Sequence, residues 1–173
     1  STCAGRMRLH ISWKLERDPP ALYEKWRDNA DALRLDTDVN NAHTKPSLGL
    51  VGWRSIQRVI EQYRSWINQH CENSMRWGRP LRIRPDMDNL FVENAEKLAG
   101  ISNVQRYSVV THWLGAGANR ISGSDQRSID TLGRYLNSDS EAMAVANFTS
   151  QWPMQPRNPS SGKGASQQLQ AWI

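Results

Sequence analysis

The sequence predicts an α/β protein, with about four strand–helix units laid on a parallel sheet. Three observations carry that expectation. Short apolar stretches bounded by turn residues alternate with longer ones that repeat at helical period, the pattern of successive βα units. Polar clusters fall at the ends of the short stretches, where parallel α/β folds keep their working groups. The length, 173 residues, suits one ordinary domain able to bury most of the surface its unfolded form exposes.

Residues 7–13 alternate as a strand, and residues 21–32, entered by Asp18-Pro19-Pro20, place Leu22, Trp26 and Ala30 on one helical face. Residues 33–39 form the second strand. After a loop through Pro46 and Gly49, residues 53–71 carry Ile56, Val59, Ile60, Tyr63, Trp66 and Ile67 at helical spacing, the most periodic stretch of the chain. Residues 81–84 are the third strand, followed by a helix over 102–115 with Ser102 as N-cap. Residues 119–122 are the fourth, followed by a helix over 128–136.

From Gln151 the composition shifts to Pro, Ser, Gly and Gln, and Pro153, Pro156 and Pro159 block helix. The expected organisation is therefore βα units over 1–150, a linker over 151–165, and over 166–173 the first strand of a β-rich appendage, read from the alternation at 169–173. The chain starts without Met or a signal peptide and ends on that run, so it is expected to be part of a longer protein whose final strand has lost its partner. Periodicity fits half of an eight-unit barrel and part of an open doubly wound sheet equally well.

A net charge of +5 raises the question of nucleic acid, but Arg6, Arg34, Arg54, Arg84, Arg106, Arg120 and Arg157 are scattered among Asp and Glu, so no nucleic-acid partner is expected. No apolar run is long enough to span a bilayer, so no membrane segment is expected either. Cys3 and Cys71 are too few for a disulfide scaffold and lack zinc-site spacing, and His10, His43, His70 and His112 show no ligand spacing. Asp86 and Asp88 lack the central Gly and terminal Glu of a calcium loop. Neither metal nor cofactor is expected. Ser12, Ser122 and Ser124 lack the nucleophile elbow, and Gly115-Ala116-Gly117 precedes a strand, the wrong order for cradling phosphate. Asn147-Phe148-Thr149 is a glycosylation sequon and mildly favours secretion.

Three strand ends carry candidate chemistry: Asp36-Thr37-Asp38, Arg84-Pro85-Asp86-Met87-Asp88-Asn89 and Ser122-Gly123-Ser124-Asp125. In an extended strand Arg34, Asp36 and Asp38 share a face. An Arg beside two aspartates holds one ionised while burial or like-charge repulsion raises the pKa of the other, which is how a site keeps a carboxyl protonated near neutral pH. A salt-bridged strand end without function fits the same spacing, as does Asp38 capping a loop, and Asp86 and Asp88 fit an Asx-type turn that starts their loop. Trp53, Trp66 and Trp113 sit on helical stripes and read as core. Trp13, at the end of the first strand, sits where an aromatic ring would stack on a sugar.

The stretches Ile11-Ser12-Trp13-Lys14-Leu15, Leu33-Arg34-Leu35-Asp36-Thr37-Asp38-Val39-Asn40-Asn41, Arg84-Pro85-Asp86-Met87-Asp88-Asn89-Leu90, Thr111-His112-Trp113 with Gly123-Ser124-Asp125, and Gln155-Pro156-Arg157-Asn158 resemble, in order and spacing, the melibiase family of retaining glycosidases in its fungal α-galactosidase-like branch. The resemblance covers nearly the whole chain. It implies strands five to eight of a (β/α)8 TIM barrel, then the start of a C-terminal β-sandwich domain. It further implies hydrolysis of terminal α-D-galactosyl residues in the secreted parent enzyme, with Asp38 as acid/base and Arg34 as a sugar-binding guanidinium. Asp86 and Met87 match the pair that contacts the galactose ring, and Ser12 and Trp13 match the segment that reads the C2 substituent. Ser12 departs from the Glu or Cys-Glu-Trp found there in many members. The nucleophile, an Asp in a Lys-x-Asp strand end, would lie in the missing N-terminal half of the barrel. A non-catalytic carbohydrate-binding or degenerate barrel fragment, or the same barrel with another glycoside specificity, are the alternatives.

Overall fold

The computed structural model describes residues 7–13, 20–41, 48–70, 82–156 and 171–173. Within them, β1 (His10–Ile11), β2 (Ala32–Arg34) and β3 (Arg84–Asp86) form a parallel sheet in the order β1-β2-β3. The register sets Ile11 beside Leu33, Leu33 beside Pro85, and Arg34 beside Asp86. The sheet is continued by a single parallel bridge, Leu90 to Ser122, flanked by hydrogen bonds from Leu90 N to Ile121 O (2.8 Å) and from Gly123 N to Leu90 O (2.9 Å). The strand expected over 119–122 is thus only that bridge. The other strands are also shorter than expected: 33–39 contracts to 32–34, and 81–84 moves to 84–86.

Among the described residues, five α-helices of two turns or more accompany these strands. The first, α1 (Pro20–Asn29), ends three residues before the expected 32, because the backbone of Asp31 and Ala32 turns to bond Leu9 O at 2.8 and 3.3 Å, and Ala32 enters the sheet. In α2 (Trp53–His70) the apolar stripe behaves as its period predicts: Ile56, Val59, Ile60, Tyr63, Trp66 and Ile67 are all buried in one core with Leu33, Leu35 and Val92. α3 (Glu96–Ala99) is a single turn that the sequence reading placed in a loop. Gly100 ends it at φ 87° against the backbone of the 48–51 segment, where an added Cβ would lie 2.4 Å from Val51 O.

α4 (Asn103–Gly115) starts with Ser102 as expected, in a reciprocal capping box with Gln105. The helix expected over 128–136 begins later, as α5 (Thr131–Ser138) capped by Asp130, and α6 (Ser140–Thr149), capped by Asp139, follows and packs on α4. At the C-terminus Trp172 forms an antiparallel bridge with Pro156, and Gln155 and Ile173 exchange backbone hydrogen bonds at 2.6 and 2.9 Å. Trp172 therefore has a bridge partner within this chain, whereas residues 166–170 of the expected strand lie outside the described residues. Trp172 also lies against the rings of Tyr63 and His112. Cys3, Cys71, His43 and most of the predicted linker lie outside the described residues.

One buried ion pair fastens the helical layer. The Arg106 side chain, fully enclosed, donates to Val92 O (2.9 Å), to Asn103 Oδ1 (2.8 Å) and with two nitrogens to Asp130 (2.8 and 2.5 Å). Side-chain hydrogen bonds from Arg106 hold the Asp130 carboxyl below its ordinary range, against the opposing effect of burial. A depressed carboxylate pKa contributes stability above the unfolded value of about 3.9 and loses it as the pH falls through the folded value. Asp130→Asn is expected to cost about 3 kcal/mol at pH 7, the low end for breaking a buried pair because Asp130 is partly exposed. Urea unfolding of the two proteins should show that difference shrinking as the solution is acidified towards pH 2.

Candidate active site

The site grows from the register of β2 and β3. Parallel strands carry their inward side chains at matching heights, so the pairing of Arg34 with Asp86 sets a guanidinium beside a carboxylate at the two C-terminal strand ends. Arg34 then uses each of its three nitrogens on a different aspartate: Nε to Asp86 Oδ2 (2.9 Å), Nη1 to Asp38 Oδ1 (3.1 Å) and Nη2 to Asp88 Oδ1 (3.1 Å). Only a planar guanidinium can serve three acceptors in this way. Burial of Arg34 works against its charge, but the hydrogen bond and field of Asp86, with the fields of Asp88 and Asp38, outweigh it and raise its pKa.

The three carboxylates are held differently. Asp86 is almost fully buried at 2% exposure; it receives His10 Nε2 at 2.7 Å and accepts the backbone N–H of Asp88 at 2.8 Å, an Asx turn. Asp88 adopts a left-handed φ of 71° and accepts the Val39 N–H at 2.7 Å, which ties the loop after β2 to the loop after β3. Its carbonyl is fixed by Trp113 Nε1 at 3.0 Å. Asp38, at 66% exposure, is the open member of the set. Counted with His10 neutral, one positive charge faces three negative ones. Such a cluster offers several oriented acceptors for ligand hydroxyl groups and one accessible carboxyl able to exchange a proton.

Arg34, Asp38 and Asp86 are thus brought together. Asp36 is not with them. The chain leaves strand geometry after Arg34, so the shared face expected for Arg34, Asp36 and Asp38 does not form; Asp36 is buried against α2, with its carboxylate 2.5 Å from Arg58 Nε. Met87 is fully buried in the core, so its side chain shows no surface to a ligand in this structure. Ser12 and Trp13 follow β1 and are exposed, Trp13 by 79%, and among the described residues no hydrogen bond or ring contact joins them to the cluster. Trp66 and Trp113 are core as expected, and Trp53 is partly buried against it.

Two members were not singled out from sequence. His10 carried no ligand spacing, and its only signal was its place in β1, one register position from the end. Asp88 was read as a turn residue, which it is, and its ionic role comes from the left-handed backbone that aims it back at Arg34. Among the described residues no group of three or more His, Cys, Asp or Glu is arranged to hold a metal ion, and no helix is long and apolar enough to cross a membrane.

A parallel sheet that gathers one guanidinium and three carboxylates at its C-terminal strand ends defines the class: an α/β protein with a charged cluster where parallel α/β folds keep their working groups. Its kinship is fungal. The chain is 45% identical over 168 residues to alpha-galactosidase 3 of Hypocrea jecorina and 35% identical over 168 residues to a protein of Emericella nidulans provisionally named alpha-galactosidase 8. Each match covers 97% of this chain, which is therefore a relative of the fungal α-galactosidases, but it spans only 26% and 33% of those two proteins. No family model matches the chain. Among solved structures it resembles a GH27 β-L-arabinopyranosidase from Geobacillus stearothermophilus, with a TM-score of 0.60 over 85% of this chain and 31% of that one. A variant of that enzyme in complex with arabinose matches with a TM-score of 0.59, covering 85% of this chain and 32% of that chain. At 15% identity in both cases, this likeness speaks for the fold.

Proposed function

We propose that this chain supplies the acid/base side of a retaining glycosidase site for terminal α-D-galactosyl residues, working within a longer polypeptide that provides the nucleophile. The observation that carries this reading is the Arg34 fork, which joins one exposed carboxylate, Asp38, to a buried one, Asp86, at adjacent strand ends. Retaining hydrolysis needs two carboxyl groups about 5 Å apart: one attacks the anomeric carbon, and the other protonates the departing oxygen and then takes a proton from water. Asp38 is the only carboxylate of the cluster open enough for the second task. Asp86, oriented by Arg34 and His10, and Arg34 itself bind ring hydroxyls, while Trp13, with Ser12 beside it, covers the sugar's apolar face. The sheet described above corresponds in this reading to strands five to eight of a (β/α)8 barrel, with residues 166–173 opening a β-sandwich domain.

Purified as 173 residues, the chain is expected to give no turnover of p-nitrophenyl α-galactoside, while the full-length gene product turns it over. Turnover by the short chain would refute a nucleophile outside it. Galactose binding by the full-length product without any hydrolysis would favour a non-catalytic carbohydrate-binding role.

A second specificity is favoured by the structural neighbours. β-L-Arabinopyranose is α-D-galactopyranose without its C6 hydroxymethyl group, so residues that hold the shared hydroxyls accept either, and the pocket around C6 decides between them. Comparing kcat/KM for p-nitrophenyl α-galactoside and p-nitrophenyl β-L-arabinopyranoside settles the preference.

A further inference from the structure

We propose that Arg58 is a positioning residue for the Asp38 carboxyl; this rests on Asp38 being the acid/base. Arg58 lies in the second turn of α2 and does not belong to the Arg34 cluster. Its Nε is 2.5 Å from Asp36 Oδ2, and its Nη2 donates to two successive backbone carbonyls, Thr37 O at 3.2 Å and Asp38 O at 2.9 Å. The segment it grips, residues 36–39, has left the sheet and has no strand partner among the described residues. Its anchors include the buried Asp36 carboxylate and the carbonyls of Thr37 and Asp38, all bound by Arg58, and the Val39 N–H, bound by Asp88.

This arrangement separates two tasks. Arg34 contacts the Asp38 side chain, whereas Arg58 fixes the main chain from which that side chain projects. An exposed carboxyl bonded only through one long contact would wander by an ångström or more if its backbone were loose, and an error of that size at a proton-transfer group can cost on the order of 10²-fold in rate. The buried Asp36 gives the guanidinium its orientation, so Asp36 acts through Arg58 rather than by tuning Asp38. A lysine at this position would keep the charge but could not span a carboxylate and two carbonyls at once.

The test uses the full-length protein with Arg58→Met and Arg58→Lys, assayed on an alkyl galactoside, whose leaving group needs protonation, and on 2,4-dinitrophenyl galactoside, whose leaving group does not. Because kcat/KM reports the glycosylation step, Arg58→Met is expected to lower it about 10- to 100-fold on the alkyl substrate and less than about 3-fold on the dinitrophenyl one. Arg58→Lys should fall between, and the inhibition constant for galactose should stay within about 2-fold in both, since Arg58 does not touch Arg34, Asp86 or Asp88. In an Asp38→Asn background, Arg58→Met should bring little further loss on the alkyl substrate, because the group it positions is already gone. Equal losses on the two substrates, weaker galactose inhibition, or losses that multiply in the double variant would overturn the proposal and make Arg58 a general scaffold residue. If Asp38→Asn alone leaves the alkyl substrate unaffected, the assignment of Asp38 falls and takes this proposal with it; if Asp38→Asn behaves as expected and Arg58→Met does not, only the role of Arg58 falls.

Discussion

Asp38→Asn in the full-length protein is expected to lower kcat/KM on an alkyl galactoside by about 10²- to 10⁴-fold, the usual worth of general acid/base assistance. The amide keeps the size and the hydrogen bond to Arg34 but can neither give a proton to an alkoxide leaving group nor take one from water. An aryl galactoside with a good leaving group needs no protonation, so its glycosylation step should be largely spared. Deglycosylation then limits turnover, because water must attack without a base. Added azide, an anionic nucleophile that has no proton to lose, should relieve that limit and restore kcat on the aryl substrate without restoring hydrolysis of the alkyl one. Asp36→Asn provides the contrast. It weakens the anchor of Arg58 and should cost less, and an outcome in which Asp36→Asn abolishes activity while Asp38→Asn keeps it would reverse the assignment of the two carboxylates.

The difference between those two aspartates also shows where the sequence stops being legible. A period-2 reading treats Arg34, Asp36 and Asp38 as one strand face, and nothing in the spacing says that the strand ends at Arg34. What ends it is tertiary: Asp36 finds Arg58, 22 residues later on α2, and the chain turns to meet it. Helix α2 was legible because its apolar stripe is long and regular, and α4 because Ser102 signals its cap locally. The fourth strand was misjudged for the opposite reason, since its one bridge to Leu90 depends on a partner far away in sequence. His10 shows the same limit in the site, where its place beside Asp86 follows from the order of strands in the sheet and not from any motif around it.

The Arg34 fork should yield the largest loss of stability. Its limb to Asp38 is solvent-exposed and, like other surface pairs, worth about 0–1 kcal/mol. The limbs to Asp86 and Asp88 are a different matter, since both carboxylates are buried and Arg34 is itself only 13% exposed. Arg34→Met would leave two buried aspartates without the guanidinium that joins them, and breaking a buried pair in this way typically costs about 3–5 kcal/mol. The loss in urea unfolding should sit in that range and be accompanied by loss of galactose binding, because the same nitrogens orient Asp86. Arg34→Lys separates the two effects. A point charge among three carboxylates recovers part of the stability, but it cannot hold Asp86, Asp88 and Asp38 in their fixed relation, so calorimetry should show galactose affinity still reduced at least about tenfold, the scale of one lost charge-assisted hydrogen bond. Arg34→Met that unfolds like the parent protein would mean the buried aspartates are satisfied without it, and Arg34→Lys with undiminished galactose affinity would show that the fork geometry plays no part in binding.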